Sequence, residues 1–340
     1  MAASQFTIYS YQDASAPTLN GTVGSLLTVL DAILVNGYGS KAAAGWTKPF
    51  ANSGNIGCYR SGTGSTLMNY LVNDNAPNAT PGAREASVVG WEVLASITGP
   101  LGTGTGQWPT AALANTTGYV AWYKSTTADA VARPWIAYAD AHTLYLIVYH
   151  QSASGNGASF YMMGDFFSVR ADATDAYRAC LHGLTTTLSA AAPGTTFIND
   201  VQVSASGTSG TGVTLYTNSG CFAPRTWGGG GAAIRLNRCA DSSTSTYLNA
   251  NISPMYGVVP ISGADNALHM APLRVFEQAS GMFRGRFRGL YCPIHDVSFF
   301  GDGMTITGGG DYAGKTFRVF RGGPNSAVWI IETSNTVETN

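Results

Sequence analysis

Gly309, Gly314, Lys315 and Thr316 stand at the G-x-x-x-x-G-K-T spacing of loops that cradle nucleotide phosphates. That chemistry needs a helix to start where the loop ends, so that helix and loop amides converge on the phosphates. Phe317-Arg318-Val319-Phe320-Arg321 follows instead, alternating as a strand does, and only 24 residues remain after Thr316. A crossover helix and a strand carrying a metal-binding carboxylate have no room. The segment therefore reads as a Gly-rich hairpin turn.

Acid–base and metal chemistry find no better support. The histidines are His142, His150, His182, His269 and His295, with no two at metal-ligand spacing. His295-Asp296 is the one adjacent His–carboxylate pair, and such a pair is more often a loop hydrogen bond than a dyad. The sequence holds neither a G-x-S-x-G elbow nor an H-E-x-x-H motif. Asp165, Asp172, Asp175 and Glu332 have the chemistry to flank a glycosidic bond, but sequence alone brings no two of them within reach. The expectation is a chain without catalytic residues, metal or cofactor.

Binding chemistry is better represented. Arg284, Arg286 and Arg288 recur at every second position of a strand-like segment. On a regular strand they share one face, with aromatics and glycines on the other. Their guanidinium forks suit phosphate and carboxylate alike. Acidic residues scattered through the same region keep a broad basic field from forming, which favours a subunit contact over nucleic acid. Among the tryptophans, Trp91, Trp122, Trp135 and Trp329 fall in alternating segments where core packing is the default. Trp46 follows a Gly-rich loop, Trp108 precedes Pro109, and Trp227 precedes the Gly228–Gly231 run. Trp46, Trp108, Trp227, Arg284, Arg286 and Arg288 are the expected subunit-contact residues.

The elements that must position these residues are mostly strands. Thr22–Asn36 is the one long helical pattern, with Val23, Leu26, Leu27, Leu30, Ile33 and Leu34 at helical spacing, Thr22 or Ser25 as cap and Gly37 at the C-terminal stop. Strands are expected at Gln5–Tyr11, Thr66–Asn73, Glu85–Leu94, Gly118–Lys124, Trp135–Ala139, Thr143–His150 and Phe160–Val169. A short helix is expected over Asp175–Leu181. Further strands fall at Gly212–Tyr216, Ala232–Leu236, Leu273–Phe276, Phe283–Tyr291, Lys315–Phe320 and Ala327–Thr333. The fold class is mainly β with a few short helices, as an antiparallel sandwich or barrel-like sheets. A soft domain boundary is placed near residue 190, dividing 1–190 from 191–340, where Ala190-Ala191-Ala192-Pro193-Gly194 breaks the pattern.

Composition bounds the class. Of 340 residues, 45% are apolar and only 11% charged, which is the reverse of a disordered chain. A surface so poor in ions is wetted by hydroxyls and amides or covered by other subunits. The net charge of −1 attracts neither nucleic acid nor an anionic membrane to the whole molecule. No apolar run reaches the ~20 residues of a membrane-spanning helix, and Met1–Gln12 lacks the pattern of a signal peptide. Cys58, Cys180, Cys221, Cys239 and Cys292 are odd in number and form no C-x-x-C, so they read as reduced thiols of a protein assembled in the cytoplasm.

Four stretches carry a family resemblance. They are Leu30–Lys48, Gly164–Ser168 with Asp175–Arg178, Arg286–His295, and Val328–Ser334. Each resembles a stretch found in many tailed-bacteriophage virion proteins, in the same order and from near the start of the chain to its end. The resemblance is thinnest over residues 185–260. It implies a structural particle component with no catalytic residues to transfer, located in the virion after assembly in the host cytoplasm. The implied site is the tail, baseplate or head–tail region, and the implied partners are copies of itself and other virion proteins. The alternatives are a capsid decoration, cement or head-fibre protein, and an adsorption protein that binds a host surface glycan. Neither nucleic acid nor membrane is an expected partner.

Overall fold

The computed structural model of the chain describes residues 6–78, 82–114, 117–150, 158–170, 174–185, 219–231, 233–238, 270–277, 280–293, 301–321 and 328–334. Strand β1 (Thr7–Ser10) leads to helix α1 (Ser25–Asp31), which widens into a π-turn over Ala32–Asn36. Strands β2 (Thr47–Ser53), β3 (Ile56–Arg60), β4 (Asn69–Asn73), β5 (Glu85–Ser96), β6 (Thr103–Trp108) and β7 (Val120–Tyr123) follow. Next come β8 (Trp135–Ala139), β9 (Thr143–Tyr149), β10 (Ala158–Asp165), β11 (Phe167–Ser168) and β12 (Ala179–Leu184). The later strands are β13 (Ser219–Ala223), β14 (Ile234–Arg238), β15 (Met270–Glu277), β16 (Phe283–Pro293), β17 (Thr305–Thr307), β18 (Thr316–Arg321) and β19 (Val328–Glu332). Every pairing among these strands is antiparallel. The protein is thus mainly β, with antiparallel sandwich-like sheets and one short α-helix.

The apolar runs explain the layering. Strands β1, β8, β9, β10 and β12 pair in that order. Successive side chains on a strand point to opposite faces, and in β9 both faces are buried. Leu144, Leu146 and Val148 join the core beneath α1. Tyr145 and Ile147 join a second core with Phe287, Leu290 and Trp329. A strand covered on both sides must be apolar nearly throughout, which is why Thr143–Tyr149 shows little alternation. Burial of each such side chain stabilises by roughly 1.5–3 kcal/mol. One edge of β12 runs from β10 to β7, and through β7 to β5, β4, β3 and β2. Its other edge pairs with β13, then β14, β15 and β16. The boundary expected near residue 190 lies outside the described residues. Strands on either side of it hydrogen-bond, as in Leu181 opposite Phe222.

The helix differs from its sequence reading. It starts at Ser25 rather than Thr22, and neither expected cap serves it. Thr22 Oγ1 donates to Asn20 Oδ1, and Ser25 Oγ donates to the Asn20 carbonyl. The N-terminus is held from a distance, because the Leu26 amide donates to Asp74 Oδ2 at 2.8 Å. Gly24 supplies the left-handed φ of 78° that turns the chain into the helix. Gly37 does follow the last turn, with φ 75° but an extended ψ of 173° instead of a left-handed cap.

The helix expected over Asp175–Leu181 is replaced by a turn and β12. Ala179 and Leu181 face one core and Cys180 the other, so tertiary burial overrides local preference. Strands β2, β3, β6, β13 and β17 have no counterpart in the sequence reading. Strand β6 is Gly- and Thr-rich and mostly exposed, and β2 contains Pro49, so neither carries the usual strand signal. The strand expected at Gly212–Tyr216 lies outside the described residues. The phosphate-loop lookalike is a hairpin: Thr316 opens β18 opposite Thr307 of β17, and Lys315 pairs with Glu332 at 3.3 Å.

Candidate interaction surface

Thirteen charged side chains among the described residues are buried. Arg284 is 1% exposed and acts as a hub. Its Nη2 donates to both oxygens of Asp175 at 3.0 Å, and its Nη1 donates to Glu277 at 3.2 Å and the Arg225 carbonyl at 2.9 Å. Arg288, equally buried, pairs with Asp140 at 2.5 Å. Asp140 also accepts the amides of His142 and Thr143 at 2.8 Å. Two buried arginines placed this way fasten β16 to the loops after β8 and β11.

These positions correct the expected contact residues. Arg284 and Arg288 have no surface to offer a neighbour. Their guanidiniums are desolvated, and a buried charge persists only when paired and hydrogen-bonded. Trp46 is also interior, donating Nε1 to the Asp140 carbonyl at 2.7 Å and packing on Tyr70. Trp108 is fully buried against Tyr70 and over Gly90, where a Cβ would sit 2.2 Å from the indole. Both belong to the larger core. Loop position in the sequence says nothing of what folds over a loop.

The carboxylates considered for glycoside chemistry are held as structural acceptors. Asp165 receives the Thr66 amide at 2.8 Å and its hydroxyl at 2.6 Å, with Arg178 at 3.6 Å. Burial pushes its pKa up to about 6 despite these donors. Asp175 is held by Arg284, and Glu332 accepts from Tyr291 at 3.0 Å and from Lys315. Asp172 and the His295-Asp296 pair lie outside the described residues. Asp74 faces Lys124 in an ion pair beneath the helix start, its pKa raised to about 6 by burial and that of Lys124 lowered for the same reason. Among the described residues, no group of three or more His, Cys, Asp or Glu could hold a metal ion. Cys58, Cys180 and Cys221 are buried free thiols. Among the described residues no helix is long and apolar enough to cross a membrane.

The remaining two contact candidates, Arg286 and Trp227, come together on one open face. A hollow of about 410 Å³ lies over β11, β15 and β16, lined in part by Phe167, Pro272, Arg274, Phe283 and Arg286. A second hollow of about 180 Å³ adjoins it through Ser168, Val169 and Phe283, and adds Arg170, Trp227 and Met282. The rim is apolar and open: Val169 is 57% exposed, Met282 42%, Phe283 41% and Trp227 41%. Four such side chains on one face exceed the single exposed apolar residues of an ordinary surface. Trp227 is anchored, its amide donating to Glu277 at 2.6 Å and its ring lying under Arg170 at 4.8 Å. Arg286 stacks over Phe167 at 5.5 Å.

Val169, Arg170, Arg274, Met282 and Phe283 were not legible as site residues. They fall in three separate segments within or beside a strand, and the pairing of β16 with both β15 and β11 gathers them. What fold and surface define together is an antiparallel β protein with an open, apolar, arginine-bearing face. The chain matches no protein-family model and no curated protein.

Proposed function

We propose that this protein is a non-enzymatic structural component of a tailed-bacteriophage virion, in the tail, baseplate or head–tail region. It works through contacts with copies of itself and with other virion proteins, after assembly in the host cytoplasm. The observation that carries this reading is the division of the surface. Asp165, Asp175 and Glu332 are buried beside Arg178, Arg284 and Lys315, while four large apolar side chains stand exposed around paired hollows. A face of that kind favours protein contact, since covering it removes apolar area from water at about 25 cal/mol per Å². The low charge of the chain and the four stretches that resemble phage particle proteins point the same way.

The test is mass spectrometry of purified particles together with immunogold labelling by antibody against this chain. The expected result is the protein in the particle, with gold at the tail tip or neck. Gold spread over the head replaces the tail assignment with capsid decoration. Absence from the particle by mass spectrometry overturns the reading.

A further inference from the structure

We propose that the hollow over β11, β15 and β16 binds an extended, carboxylate-bearing segment of a different polypeptide; this rests on the contact reading above and names the partner's chemistry. Arg274 of β15 and Arg286 of β16 are directly opposite in antiparallel register. Residues so placed share a face with Cβ atoms about 5 Å apart. Both line the 410 Å³ hollow, and none of its described lining residues is a carboxylate. Arg274 is exposed and has no carboxylate partner among the described residues. Arg225, Arg284 and Arg288, by contrast, each hold Asp or Glu within the chain. An incoming carboxylate fits the guanidinium fork of Arg274.

The lining also selects against other anions and against sugars. Its polar side chains are guanidiniums plus Ser168, whose hydroxyl already donates to Asp175 at 2.8 Å. Among the described lining residues no side-chain carboxylate or amide is there to accept from sugar hydroxyls, and one face of the Trp227 ring is covered by Arg170. Nucleic acid binding draws its strength from many cations along a phosphate track, which Arg170, Arg274 and Arg286 alone do not make. Phe167, Pro272 and Phe283 instead offer an apolar floor between the charges. An extended segment that carries both carboxylates and hydrocarbon side chains matches both features.

A second copy of this chain is a poor donor of that segment. Among the described carboxylates, all but Asp311 already accept a hydrogen bond or ion pair within the chain. Asp13 is held by Tyr38, Asp31 by Lys48, Glu92 by Arg225 and Asp129 by Arg133.

The experiment is fluorescence anisotropy on the full chain with a labelled ten-residue peptide alternating glutamate and valine. Its glutamine–valine counterpart, a ten-nucleotide oligothymidylate and a hyaluronan oligosaccharide are run beside it. The glutamate peptide binds, and both the glutamine peptide and the Arg274→Glu variant weaken binding by about tenfold or more, the cost of one charged hydrogen-bonding partner. Arg274→Glu places opposite charges across the strands, so its unfolding midpoint is equal to or above that of the wild type. Equal binding of the two peptides, or an unchanged affinity in Arg274→Glu, overturns the proposal. Tighter binding of the oligonucleotide or the hyaluronan overturns it in favour of those ligands, and self-association lost in Arg274→Glu overturns it in favour of a second copy. Failure of peptide binding by a chain that mass spectrometry finds in the particle refutes the groove alone. Absence from the particle refutes the virion reading while leaving the peptide result standing.

Discussion

Replacing Arg284 with methionine separates a structural arginine from a surface contact. The substitution removes five hydrogen bonds of the guanidinium, to Asp175, Glu277 and the carbonyls of Arg225 and Tyr177. At 3 Å separation and an effective dielectric of about 20, each carboxylate loses several kcal/mol of attraction. The desolvation of the guanidinium, no longer needed, offsets much of this. Asp175 keeps the Ser168 hydroxyl and the Tyr177 amide, and Glu277 keeps the Trp227 amide and the Ser280 hydroxyl. The net loss is therefore that of orphaning a buried pair, about 3–5 kcal/mol. That is a large share of the ~5–15 kcal/mol by which a domain is stable. Urea unfolding followed by tryptophan fluorescence reads it as a lower midpoint. Adding Asp175→Asn to Arg284→Met recovers part of the loss, because a neutral amide replaces the stranded carboxylate. A loss under about 1 kcal/mol in Arg284→Met, or no recovery in the double variant, refutes the hub and returns Arg284 to the surface.

Three further outcomes follow from burial, charge and backbone geometry. Trp108→Ala costs about 3–5 kcal/mol by opening a core cavity, whereas Trp227→Ala changes stability by at most about 1 kcal/mol, both read by urea unfolding. Gly285 has φ 154°, and a Cβ there would lie 1.7 Å from the Phe167 carbonyl. Gly285→Ala therefore separates β11 from β16 and destabilises by roughly 2 kcal/mol or more, with hydrogen exchange rising first at Val169, whose amide donates to the Arg284 carbonyl. Burial lowers the His150 pKa from 6.5 to about 3, so below pH 6.5 the unfolded chain binds a proton that the folded chain refuses. The stability from keeping His150 neutral is full above pH 6.5 and is lost, at about 1.4 kcal/mol per pH unit, as pH falls toward 3. Urea titrations of His150→Gln should accordingly show a shallower loss than wild type between pH 6.5 and 4.

Sequence alone determined the class and much of the strand content. Trp135–Ala139 and Thr143–Tyr149 are legible because branched and aromatic runs bounded by turn residues have few other solutions. The Lys315-Thr316 turn is legible as a hairpin because the strand pattern after it is local. Burial of particular side chains was not legible, because it depends on which strands become neighbours. Arg284, Arg286 and Arg288 look equivalent at a two-residue period. The positive φ of Gly285 and the register shifts against β15 break that period, and carboxylates from distant segments then claim Arg284 and Arg288 while Arg286 stays half-buried. Trp108 and Trp227 both read as loop tryptophans, yet one is covered by Tyr70 and Gly90 and the other stands open beside Phe283. Local chemistry fixes the period and the turns. Long-range pairing alone decides which charges lose water and which face stays open.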